Sequence, residues 1–226
     1  MLSRKEDKQE DNDFSEVKVK FPFLLVGIPL LFGLAVVAVA IIFSVSKKNK
    51  IVKEPYFYLN EIPITRLEYN FFYNSVYRDY VMSYSILFDY MGVDSDKPLE
   101  DQKYDEERSF RQYFEEGTVQ TIKKMHALWD DGHSKDFEAD IDGAYEIYIT
   151  DVKTACDAAG MSLDQYFSKF YGDYADEDNV KSFLLMEFYA DQYNEFLIDS
   201  LNKSENDTAA YDYIEELKKG YEVIYP

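Results

Sequence analysis

The chain has a single cysteine, Cys156, in 226 residues, so an intramolecular disulfide framework is excluded. Histidine is nearly as scarce. His126 and His133 lie seven residues apart with a glycine between them, a spacing that fits no recognised ligand pattern. With Asp130 and Asp131 they read as a helix end and a polar loop, and no metal is expected. The sequence has no glycine-rich phosphate loop, nucleophile elbow or zinc-protease motif, and carboxylates are too abundant for a pair of them to carry meaning. No cofactor and no catalysis are expected. Basic residues are also few, 24 against 44 acidic, for a formal net charge of −20. A nucleic acid would meet repulsion rather than counterion release, which argues against that partner.

What is plentiful is aromatic: 21 Tyr, 17 Phe and one Trp make up 17% of the chain. Chains that stay disordered are poor in such residues, so disorder throughout is excluded. The length allows one or two domains.

Phe21 to Phe43 is a run of 23 residues without a charge. As a helix it reaches about 34 Å, enough to span a bilayer core of about 30 Å. Pro22, Pro29, Gly27 and Gly33 weaken a helix in water, but membrane helices tolerate them. The alternative is a cleaved signal peptide, with Ser44-Val45-Ser46 as a small-x-small site, although a signal's apolar region is shorter. No cysteine near the run offers a lipid anchor. The organisation predicted is a cytoplasmic tail over residues 1–20, a transmembrane helix over 21–46, a juxtamembrane linker over 47–54 and one domain over 55–226. The tail carries five basic residues and the other flank four, so the positive-inside rule does not decide orientation. Residues 51–226 hold 16 basic and 38 acidic residues, a net −22. That surplus reads equally as a solvated face or as a functional one, which steers toward cationic clients or keeps the domain off anionic lipid headgroups.

The domain reads as mainly helical. Tyr56 to Ile64 suggests a short strand around an Asn60-Glu61 turn. Thr65 and Glu68 form a capping-box pattern, opening a helix with a stripe from Tyr69 to Met91. A second helix is expected from about Asp105 to Asp131-Gly132, and a third from about Phe137 to Ala159, capped by Gly160. Ser162 with Gln165 opens a short helix, and Asp176 to Asn179 caps a long one running to Leu201. A last helix carries Tyr211, Ile214 and Leu217, followed by an alternating strand from Tyr221 to Tyr225. Short strands at the two ends of the domain are unstable alone, so a two-stranded sheet joining them is expected. Cys156 falls on an apolar helix face and reads as inert core. Asn202-Lys203-Ser204 and Asn206-Asp207-Thr208 match the glycosylation sequon, a pattern common by chance.

The series from Leu59 to Tyr69 (LNEIPITRLEY) resembles the opening of SurA/PrsA-type, trigger-factor-related chaperone domains. So do Gly160 to Tyr166 with Phe170-Tyr171-Gly172, Val180 to Leu184 running on to Tyr193, and the closing Leu217 to Val223. The resemblance covers most of residues 55–226 and implies a SurA N-terminal-like helical fold that binds unfolded or secreted polypeptides. Many relatives carry a parvulin-type prolyl isomerase domain before the closing helix and strand. Here only Asn202 to Thr208 stands in that place, so isomerase activity is not implied. Glu61, where such turns usually have glycine, is a lesser departure.

The function expected is therefore a membrane-anchored extracytoplasmic holdase. The runner-up is a non-catalytic subunit that uses the same fold to hold one envelope or membrane partner; an isomerase with an unfamiliar site is a third reading. Tyr and Phe at helical spacing mostly form core. With 34 aromatics among the 176 residues after position 50, however, some are expected on display. Tyr73, Tyr77, Tyr80 and Tyr84 are the candidates for peptide contact, because a phenol tolerates water at its tip.

Overall fold

The computed structural model describes residues 43–84, 93–94, 97–202 and 208–226, with the side chains of 82–84 excepted. The charge-free run lies outside the described residues except at its end, where residues 43–45 are helical and exposed. Among the described residues, no helix is long and apolar enough to cross a membrane. Residues 46–226 form a unit of their own.

This unit begins as helix rather than as a linker. Residues 46–52 are helical, Ile51 and Val52 pack on the core, and Lys47 and Lys48 approach Asp173 and Asp176 at 3.7 and 3.8 Å. The first extended stretch is a hairpin, not one strand: β1 (Pro55–Leu59) pairs antiparallel with β2 (Ile62–Thr65) across Asn60-Glu61. Asn60 takes the left-handed conformation that the turn needs, at φ 54°, a role open to asparagine as well as glycine. Glu61 needs no such conformation, so a glycine is dispensable there. The Asn60 side chain also receives the Glu222 amide at 2.9 Å and donates to the Gly220 carbonyl at 2.9 Å. These bonds hold β3 (Val223–Ile224) against β1, giving a three-stranded antiparallel sheet in the order β2-β1-β3. The expected union of the two ends is present, with one strand more than anticipated.

Among the described residues, six α-helices follow the hairpin: α1 (Arg66–Tyr84), α2 (Phe110–Ser134), α3 (Ile141–Ala159), α4 (Leu163–Tyr171), α5 (Glu177–Leu201) and α6 (Ala209–Lys219). Their starts are set by side chains that accept free amides of the first turn. Ser162 with Gln165 and Asp176 with Asn179 form the reciprocal boxes. Ser109 with Gln112 does the same for α2, which therefore starts five residues later than the acidic stretch suggests. Asp140 caps α3, so Phe137 lies before that helix and packs against Tyr189 and Tyr193 instead. Between α1 and α2, buried Gln102 orders the chain by bonding the Asp94 and Lys97 carbonyls, both at 2.8 Å.

The main core joins Phe57, Leu59 and Ile64 of the sheet to Phe71 and Phe72 of α1, Ile122 and Leu128 of α2, and Leu184 and Tyr193 of α5. A smaller cluster between α1 and α2 holds Tyr80, Val93, Phe110 and Phe114. In α6, Ala210 and Ile214 point inward while Tyr211 is exposed, reversing the expectation for that ring.

Gly132 is not a helix stop. It lies inside α2, where a Cβ would stand 2.7 Å from Tyr189 Oη and 2.8 Å from its Cε1. Tyr189 cannot retreat easily, being stacked on His133 at 4.3 Å and bonded to the Phe137 carbonyl at 3.1 Å. Gly132→Ala is expected to lower stability by about 1–2 kcal/mol, because overpacking outweighs the helix-propensity gain of about 1 kcal/mol. Equilibrium urea unfolding measures it, and a variant as stable as the parent would show that the α2–α5 contact is loose.

Candidate functional site

Of the four α1 tyrosines, the three whose side chains are described do not form a displayed stripe. Tyr80 is buried at 9% exposure, its ring edge-on to Phe114 at 5.1 Å and to Tyr113 at 5.7 Å. Tyr77 is half-buried against Phe114 at 5.3 Å. Tyr73, also half-buried, lies between Tyr69 and Phe114. Tyr84 belongs to α1, but its side chain lies outside the described residues. The α1 stripe thus faces α2, and Tyr80 is withdrawn from the candidate surface because helix packing covers it.

The rings on display lie elsewhere. Tyr56 of β1 is 36% exposed and Tyr225, just after β3, is 64% exposed. Both lean on buried Phe57 at 5.8 Å, because β3 runs antiparallel beside β1 and carries Tyr225 toward the start of that strand. They flank a hollow of about 390 Å³ whose floor includes Tyr69, Val119 and Val223, with Gln112, Glu115, Glu116 and Gln120 of α2 as the polar wall. A second hollow of about 250 Å³ shares Tyr56, Tyr69 and Glu115 and continues to Tyr73 and Arg111. Together they make an open trough between the sheet edge and the α1–α2 pair. No sequence pattern announced it, since its walls come from three separated segments.

Charge in the trough is paired at its surface. Arg111 binds Glu115 at 2.9 Å, and Arg108 binds Glu116 at 2.7 Å. The Arg66 guanidinium lies 4.0 Å over the Tyr56 ring. Burial, then the Glu115 carboxylate, pushes the Tyr69 and Tyr73 phenols above their ordinary range. These rings therefore stay neutral at physiological pH; Tyr69 is buried and Tyr73 half-buried, so the open ring surface of the trough is that of Tyr56 and Tyr225. The arrangement can hold an apolar, extended segment. Among the described residues, nothing in it pairs a nucleophile with a base.

The residues considered for a metal are employed singly. His126 Nε2 lies 2.9 Å from Glu68 Oε1, both side chains buried between α1 and α2. His133 Nδ1 donates to the Trp129 carbonyl at 2.7 Å. Asp130 accepts from the Tyr221 hydroxyl, tying α2 to the end of α6. Asp131 accepts from Tyr193 at 2.7 Å, Tyr213 at 2.9 Å and Lys135 at 3.0 Å. Burial alone would raise the Asp131 carboxyl, but those donors outweigh it and hold the group below the usual range. Among the described residues, no three His, Cys, Asp or Glu side chains converge as a metal site would require. Cys156 is buried, with its sulfur 3.8 Å from the Ser162 carbonyl. Asn202 of the first sequon accepts the Ala210 amide at 3.0 Å; residues 203–207 lie outside the described residues.

Compared with known proteins, the chain matches no family model, no curated protein and no solved structure.

Proposed function

We propose that residues 55–226 are a polypeptide-binding chaperone domain of the SurA/PrsA type, a holdase without isomerase activity, carried outside the cytoplasm by the segment 21–46. The observation that supports it most is the trough, where Tyr56 and Tyr225 stand open above an apolar floor while most other rings are covered. Such rings bury large apolar area with few rotamers to freeze, so they hold varied segments reversibly and need no nucleotide.

The test uses the 46–226 unit, which encloses its own core. It is expected to delay aggregation of an unfolded protein and to bind apolar peptides. Truncating one ring at the centre of such a surface costs about 2 kcal/mol, roughly a thirtyfold loss of affinity. Tyr56→Ser with Tyr225→Ser should therefore abolish the protection. Tyr211→Ser, equally exposed at 64% but outside the trough, should leave it intact. Protection that survives the double substitution would remove the trough from the mechanism. A single stoichiometric partner in crosslinking would favour the dedicated-subunit reading, and a proline-limited refolding reaction should not be accelerated.

A further inference from the structure

The α2 wall of the trough has a period that fits one kind of occupant. Gln112, Glu116 and Gln120 stand four residues apart on one helix face, and Glu115 and Val119 repeat the spacing one position earlier. Four helical residues advance about 6 Å, and two residues of an extended chain advance about 6.6 Å. A strand laid along α2 therefore meets this row with every second side chain. The alternate ones turn down onto Tyr69, Val119 and Val223.

Glu116 occupies the middle of the row. Its partner Arg108 is half-buried and is also held by Asp105 at 2.6 Å, while Arg111 beside Glu115 is exposed. Exposed ion pairs contribute little and exchange partners cheaply, so either carboxylate can turn to an incoming cation. The ring faces here also accept cations, as the Arg66 guanidinium over Tyr56 demonstrates. Around the trough lies a domain of net charge −22, which draws cationic chains and repels acidic ones before contact.

We infer that the preferred occupant is an extended polypeptide segment in which lysine or arginine alternates with apolar residues. A cationic side chain meets Glu116, and the apolar ones rest between the Tyr56 and Tyr225 rings. This rests on the polypeptide-binding reading above and narrows it from any apolar segment to basic, alternating ones.

The experiment measures fluorescence anisotropy with the full chain in detergent micelles. Three short labelled peptides share the same apolar residues at alternate positions, with Lys, Gln or Glu between. The Lys peptide is expected to bind about tenfold more tightly than the Glu peptide, the effect of roughly one favourable charge contact, with the gap shrinking at high salt. Glu116→Gln should narrow the gap and Glu116→Lys should reverse the order, with circular dichroism unchanged because the side chain is exposed. Equal binding of the three peptides overturns the charge preference and leaves the holdase reading standing. A gap that persists in Glu116→Lys overturns the placement at Glu116. Failure of all three peptides to bind overturns both readings.

Discussion

Glu68→Ala is expected to cost the domain about 3 kcal/mol, although the sequence pattern assigns this residue only a helix-capping role. In that role, the Glu68 side chain would reach back to Thr65, and its loss would cost about 1 kcal/mol. The Thr65 hydroxyl does accept the Glu68 amide, at 3.1 Å. The Glu68 carboxylate, however, turns inward to His126, 58 positions along the chain, at 2.9 Å. Both side chains are buried in the contact between α1 and α2. Removing the carboxylate leaves a ring nitrogen without a partner where water has little access. Breaking a buried pair by deleting one member costs about 3–5 kcal/mol if the pair is charged, and about 1–3 kcal/mol if it is neutral. Glu68→Leu combined with His126→Leu should recover much of the loss, since no polar group is then stranded. A double-mutant cycle by equilibrium urea unfolding gives the coupling directly. Additive single losses, or a Glu68→Ala cost no larger than that of Thr65→Ala, would reduce the contact to an incidental one.

The same residue shows which part of the structure was legible beforehand. Signals that act within one turn were readable: Gly160 takes the left-handed cap at φ 64°, Ser162 with Gln165 forms a full box, and Asp176 caps α5. Ser109 and Gln112 carry the same signature, which marks the start of α2. Features that depend on distant segments were not readable. Gly132 looked like a stop because glycine commonly ends helices, yet its reason for being there is Tyr189, 57 residues later. Aromatic and β-branched residues around Asn60-Glu61 suggest one short strand, whereas two strands pair across that turn. What holds the turn is an asparagine clamped by residues 220 and 222. The site followed the same rule. Periodicity marks the α1 tyrosines as an apolar face, and α2 packs on Tyr73, Tyr77 and Tyr80 of it. Tyr56 and Tyr225 are open because of where the sheet ends, which no local pattern encodes.

Raising the pH from about 5 to 8 is expected to weaken the domain through Glu187, and Glu187→Gln should remove that contribution. Glu187 lies in α5, only partly open to water, on the side that meets α1. Burial, then the Asp191 carboxylate, pushes its carboxyl up to about 7 from an ordinary value of 4.5; Asp79 adds to the rise and the Arg78 guanidinium opposes it. The neighbourhood leaves Arg78 little to spare: its guanidinium also faces Asp79 at 4.0 Å and the Tyr171 ring at 5.6 Å, where the Tyr171 hydroxyl is bonded to Tyr148 at 2.8 Å. Asp191, desolvated and opposed by Glu195 and Asp79 while Lys124 pulls it down, is itself held above its usual range. An acid whose folded value is raised binds its proton more tightly when folded. Its contribution is therefore complete below about 4.5 and is lost as pH rises through about 7. A shift of this size corresponds at most to about 3 kcal/mol, and partial access to water reduces that to about 2 kcal/mol. The stability difference between Glu187→Gln and the parent, measured by urea unfolding at intervals from pH 5 to 8, should grow in favour of the variant across that window. The comparison isolates this residue from Asp131, whose lowered carboxyl responds in the opposite direction and is common to both proteins. A pH-independent difference would show that the Glu187 carboxyl is already solvated, and that the α1–α5 contact is open at this point.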